Sequence, residues 1–145
     1  MFTADRARMR GSFVLAWRKH RQATPMTPLE VQIAEVVWMH PQYHVLLEDP
    51  HAVHEDFADA GETNPFLHMA MHLGLREQVS TDRPAGVRKA MAALVRRCGE
   101  RHAAEHEAMQ CLAEALWQAQ GRQQAPDDQA YLSALNDRAR SLRPR

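Results

Sequence analysis

The chain has 145 residues, enough for one domain to bury a core without disulfide staples. Lys plus Arg and Asp plus Glu number 18 each, so no global charge draws it to nucleic acid or to an anionic membrane surface. No apolar run approaches membrane-spanning length, and the alternating pattern of a half-buried strand never lasts. The expectation is an all-α protein, a single helical domain over residues 1–145, folded as a compact bundle of five or six helices with a histidine-lined centre. Nine histidines are the compositional oddity. Cys98 and Cys111 form neither a metal-type nor a redox-type pair, and the N-terminus lacks the apolar core of a signal peptide. Both features lead to the expectation of reduced thiols and a cytoplasmic location.

A first helix is predicted from Asp5 to Gln22, with Met9, Phe13, Ala16, Trp17 and His20 as its stripe. His20, near the C-terminal end, suits the helix dipole or a half-buried edge. Thr27-Pro28-Leu29-Glu30 is a capping box with proline at the first helical position. The second helix runs to His40 with the stripe Leu29, Ile33, Val36 and Val37, and His40 continues it. Pro41 ends or kinks that helix, and Pro41 to Glu48 reads as a further short helix, so His40 and His44 flank a proline.

Asp49 to Thr63 is the longest stretch without periodicity, and it is acidic. A mobile surface loop is expected at about 49–63, with His54-Glu55-Asp56 able to offer an outer ligand. Asn64-Pro65 then starts a helix that is apolar on nearly every side as far as Leu75, which marks it as central. It places His68, Met71, His72, Leu75 and Val79 on one face, and Arg76-Glu77-Gln78 reads as its exposed end. Pro84 opens the next helix, striped by Met91, Leu94, Val95 and Cys98, with Gly99 ending or bending it. The helix from Glu100 to Gln120 presents His102, His106, Met109, Ala113, Leu116 and Trp117 on one face, with Glu105 at the edge and Gly121 as C-cap. A C-terminal helix at about 126–142 docks through Tyr131, Leu132, Leu135 and Ala139.

The chemistry lies in the histidines. Residues four apart on a helix share a face, so His68/His72 and His102/His106 each aim two imidazoles at one point. The central helix and the helix from Glu100 are expected to face each other across the histidine-rich centre. Inward pairs on facing helices are how helix bundles build metal sites, and imidazole suits iron, zinc, copper, nickel and cobalt. The candidate metal ligands are His68, His72, His102 and His106, with His40, His44 and Glu105 as further ligands or as their supports. The candidate cofactor is a divalent transition metal, iron or zinc. The alternative is a buried histidine network bonded to Glu105, Tyr43, backbone carbonyls and water, in a non-enzymatic interaction or regulatory protein. A pH-responsive core is a third reading. The sequence has no glycine-rich phosphate loop, no Gly-x-Ser-x-Gly elbow and no His-Glu-x-x-His. No nucleic-acid or membrane partner is expected, no substrate or reaction follows, and a homodimer is the assembly to consider.

Several separated blocks carry a family resemblance. They are His40-Pro41-Gln42-Tyr43-His44; Asn64-Pro65-Phe66-Leu67-His68 through His72 to Glu77-Gln78; and Arg101-His102-Ala103-Ala104-Glu105-His106 through Met109, Cys111-Leu112 and Glu114 to Trp117-Gln118-Ala119-Gln120. Taken in order, with the early Ala16-Trp17-Arg18-Lys19 and the late Tyr131-Leu132, they resemble the domain-of-unknown-function 1841 family of bacterial proteins. The resemblance spans nearly the whole chain and implies no activity. The chain departs from the family pattern at Gly74, where a bulkier residue is usual. A looser likeness is to histidine-lined four-helix bundles of the hemerythrin and DinB types, the second of which His44 with His102 and His106 would imitate. That is a likeness of architecture, which does not carry function across.

Overall fold

The computed structural model describes residues 2–49, 51 and 64–143. The elements are α1 (Phe2–Arg21), α2 (Pro28–Trp38), a 3-10 turn (Pro41–Tyr43), α3 (His44–Leu47), α4 (Pro65–Thr81), α5 (Val87–Cys98), α6 (Arg101–Arg122) and α7 (Asp128–Ser141). No strand occurs among the described residues, as the sequence predicts. Among the described residues the α-helices number seven rather than five or six. Gly99 fully separates α5 from α6, and the segment after Pro41 forms a helix of its own behind a 3-10 turn. His54, Glu55 and Asp56 of the acidic segment lie outside the described residues. The chain divides into two compact units, Met1–Leu73 and Gly74–Arg145. Helix α4 contributes Pro65–Leu73 to the first and Gly74–Thr81 to the second.

In the first unit, the capping box at Thr27 starts α2. The Glu30 amide donates to Thr27 Oγ1 at 3.2 Å, and the Thr27 amide donates to Glu30 Oε1 at 2.8 Å. Lys19 of α1 donates to the same carboxylate at 2.9 Å and ties the two helices together. These bonds, the Lys19 bond foremost, hold the Glu30 carboxyl below its ordinary value. The core beneath is Phe13, Trp17, Ile33, Val36, Val37, Leu47, Phe66 and Met69. Phe13 meets Phe66 edge to face at 6.1 Å, which joins α1 to α4, and the buried Arg10 guanidinium lies 5.1 Å from the Phe66 ring centre. Leu29, placed in the α2 stripe by spacing, is 60% exposed. It sits in the first turn, where α2 has not yet reached the core. At the start of α4, Asn64 Oδ1 accepts from the amides of Phe66 and Leu67 at 3.1 and 3.2 Å, the cap that Asn64-Pro65 predicts.

In the second unit, α5 begins at Val87, not at Pro84. Pro84 follows a cis peptide bond, and the cap comes from upstream: Asp82 Oδ1 accepts from the amides of Gly86 and Arg88 at 3.2 and 3.0 Å. Gly99 ends α5 at φ +86°, a left-handed conformation that glycine adopts without a Cβ clash. Helix α5 buries Val87, Ala90, Met91, Leu94 and Cys98. Helix α6 runs through Gly121 and closes at Gln123, φ +52°, so Gly121 is not its cap. It buries Ala104, Glu105, Ala108, Met109, Cys111 and Ala119; of the predicted stripe Met109 is buried, His102 and His106 are half-buried, and Ala113, Leu116 and Trp117 are exposed. Asp127 caps α7 by accepting from the Ala130 amide at 3.1 Å. Tyr131, Leu135 and Ala139 bury α7, and Tyr131 donates its hydroxyl to Gln78 Oε1 at 2.7 Å. Burial pushes the Tyr131 phenol and the Cys111 thiol above their ordinary values, so both stay protonated near neutral pH.

Candidate metal centre

The first unit gathers three histidines from two parts of the chain. His68 and His72 stand one turn apart on α4, with ring centres 5.0 Å apart. His40 arrives from the end of α2. Pro41 excludes a helical continuation, and His40 leaves the helix at φ −124° and ψ 69°. Its ring centre lies 5.0 Å from that of His68 and 4.8 Å from that of His72. The three interplanar angles are 83°, 63° and 70°, so each ring meets the others edge to face. His40 and His72 are buried, at 1% and 0% exposure, and His68 is half-buried. Each ring offers a nitrogen within 4.8 Å of the nitrogens offered by the other two. Nitrogens on one tetrahedral ion, with bonds of about 2.1 Å, stand about 3.4 Å apart, so the side chains would have to close by about 1.4 Å at most to bring the three onto one ion.

His40 is also oriented from behind. Its Nδ1 lies 2.7 Å from the Val36 carbonyl oxygen, one turn back on α2. A carbonyl only accepts, so Nδ1 carries the hydrogen and Nε2 is the nitrogen with the lone pair. This is the backbone support that metal-binding histidines commonly have.

Each of the other candidates has its own immediate surroundings. His44 donates Nε2–H to the Val37 carbonyl at 2.9 Å and packs on Trp17, with ring centres 4.3 Å apart. His20, read as a dipole partner or edge residue, is exposed and stacks on Trp17 at 5.2 Å. His102 and His106 adjoin on α6 of the second unit, with ring centres 4.3 Å apart, both half-buried. His106 lines a cavity of about 290 Å³ with Arg97, Cys98 and Glu107. Glu105 is 2% exposed and lies between two guanidinium groups. Arg76 Nε donates to Glu105 Oε2 at 3.2 Å, and Arg101 Nε lies 3.3 Å from the same oxygen. Arg76, read from sequence as part of an exposed helix end, is therefore a buried partner at 7% exposure. The sequence carries one signal for it: Arg76 and Leu75 follow directly on a helix that is apolar all round.

Sequence reasoning missed Tyr43 as a ring partner. It lies parallel to His40, at 5.4 Å and 9°, and meets His68 edge-on at 6.1 Å and 75°. Burial raises its phenol above the ordinary value, and a hydrogen bond with the Gln42 side chain opposes the shift.

These features define an all-helical protein with a convergent histidine cluster. A family model matches residues 5–137, and the chain belongs to that family, DUF1841, a domain of unknown function. Neither a curated protein nor a solved structure matches the chain. None of the described helices is long and apolar enough to cross a membrane.

Proposed function

We propose that this protein binds a divalent transition metal, iron or zinc, through His40, His68 and His72. The observation that carries the reading is the approach of three ring nitrogens, from two separate elements, to within 4.8 Å of one another. The tautomer set at His40 by Val36 supports it. So does the charge of the surrounding sequence: Gln22 to Leu73 contains eight Asp or Glu and neither Lys nor Arg. A stretch of that composition favours a cation over an anion.

Imidazole ligands select borderline metals over magnesium or calcium, which prefer oxygen. Three protein ligands leave coordination positions open on a four- or six-coordinate ion. When bound, such an ion supplies Lewis acidity and lowers the pKa of a coordinated water. His40 and His72 contribute from a water-poor interior, and the half-buried His68 marks the side nearer to solvent.

Elemental analysis tests the reading on full-length protein purified without a histidine tag or chelators, beside a His40→Ala, His72→Ala variant. The expected result is about one equivalent of transition metal in the wild type, lost in the variant. No metal in either protein, with the variant merely less stable, would make the histidines a structural network and redirect the search to a binding partner.

A further inference from the structure

We propose that Tyr43 is a positioning residue for the metal site, and that His40-Pro41-Gln42-Tyr43 is a turn built to aim His40. This inference rests on the metal reading above and adds a residue that spacing arguments pass over.

The geometry starts from Pro41, whose ring fixes φ at the first position of a 3-10 turn. The Tyr43 amide donates to the His40 carbonyl at 2.9 Å and closes the turn. In a 3-10 helix, side chains at i and i+3 eclipse. Tyr43 is thereby brought over His40, and the two rings stack within 9° of parallel. The Val36 carbonyl fixes which edge of the His40 ring faces backward, and the Tyr43 face fixes the plane of that ring. Together they leave Nε2 with one direction. The same phenol ring meets His68 edge-on at 6.1 Å, so one side chain braces ligands from two elements. The contacts it makes with the two histidines are made by its ring. The working surface is therefore the ring and not the oxygen. Locking a ligand's rotamer by packing lowers the ordering cost of binding.

The test is a Co²⁺ and Zn²⁺ titration of metal-free full-length protein, comparing wild type, Tyr43→Phe and Tyr43→Leu. The readouts are Kd and the visible ligand-field spectrum of the Co²⁺ form. Tyr43→Phe keeps the ring and is expected to keep both affinity and spectrum. Tyr43→Leu is expected to bind about 10- to 100-fold more weakly, the usual cost of losing a ligand's support, with a changed spectrum. Circular dichroism of the metal-free variants separates this from unfolding; if Tyr43→Leu does not fold, Tyr43→Met takes its place in the comparison. Wild-type affinity and spectrum in the leucine or methionine variant would overturn the inference. Equal losses in the phenylalanine and leucine variants would overturn it too, because they would assign the effect to the hydroxyl. A wild type that binds neither ion would instead overturn the metal reading, and the positioning role with it.

Discussion

In the second unit a carboxylate lies buried between guanidinium groups, and in the first two buried imidazole rings and a half-buried third pack against one another. Glu105 is compensated inside the fold: Arg76 and Arg101 supply positive charge at 3.2 and 3.3 Å. A buried ion pair of this kind fixes one arrangement of its helices, because loss of either member strands a charge. The histidine trio offers imidazole nitrogens, a donor type that suits a transition-metal cation. Glu105 is thus completed by cations of the chain itself, whereas on the proposed reading the trio is completed by a metal cation. The chemistry of the partners, not burial, tells the two apart.

The sharpest way to break the comparison is Arg76→Ala. It leaves Glu105 buried without its buried cation, and the expected loss is about 3–5 kcal/mol in urea unfolding, toward the lower figure because the exposed Arg101 remains. In the first unit the corresponding removal, His72→Ala, is expected to show chiefly in the presence of metal. At about a hundredfold excess of Zn²⁺ over Kd the wild type should gain about 2.7 kcal/mol, seen as a raised Tm, and the variant should lose that gain. A variant that keeps it would remove His72 from the site.

Smaller effects sharpen the picture away from both centres. Thr27→Ala removes the capping box and is expected to cost about 1 kcal/mol in denaturant unfolding. The Glu30 carboxyl in that box is held below its ordinary value, so its contribution is complete above the ordinary glutamate range. It fades as pH falls through the lower folded-state value, and an acid titration of thermal stability should lose that step in Glu30→Gln. Smallest and opposite in sign is Gly74→Ala. A Cβ at this helical position meets nothing within 4 Å, and alanine should add about 0.5–1 kcal/mol by restraining the unfolded chain. A loss there would mean that the glycine is needed for a reason other than space.

Most of the helices were legible because their ends are written locally. Thr27 with Glu30, Asn64 with Pro65, and Gly99 each act within a few residues of themselves. The errors fall where a distant residue decides. The face of α6 was placed by its histidines and large apolar residues, yet the helix turns Glu105 inward because Arg76, 29 positions earlier, meets it there. Charged residues default to water in any pattern argument, and only a tertiary partner reverses that default. The same holds for the candidate site. Spacing paired His68 with His72, since helix geometry alone does so. It left His40 open as a further ligand or a support, since His40 enters through a proline-broken turn whose direction no periodicity describes.

The order of that turn along the chain bears on how quickly the protein assembles. Within the first unit α1 and α2 are neighbours in sequence, and Lys19 meets Glu30 across only 11 positions. Contacts of this local kind form on the microsecond-to-millisecond scale. His40 and His68 are separated by 28 positions, so bringing them together must close a longer loop before any contact rewards it. The trio is therefore expected to form late, after the folding barrier. A metal that binds there would act mainly on the unfolding rate: it would lengthen the lifetime of the folded chain while leaving the speed of folding nearly unchanged.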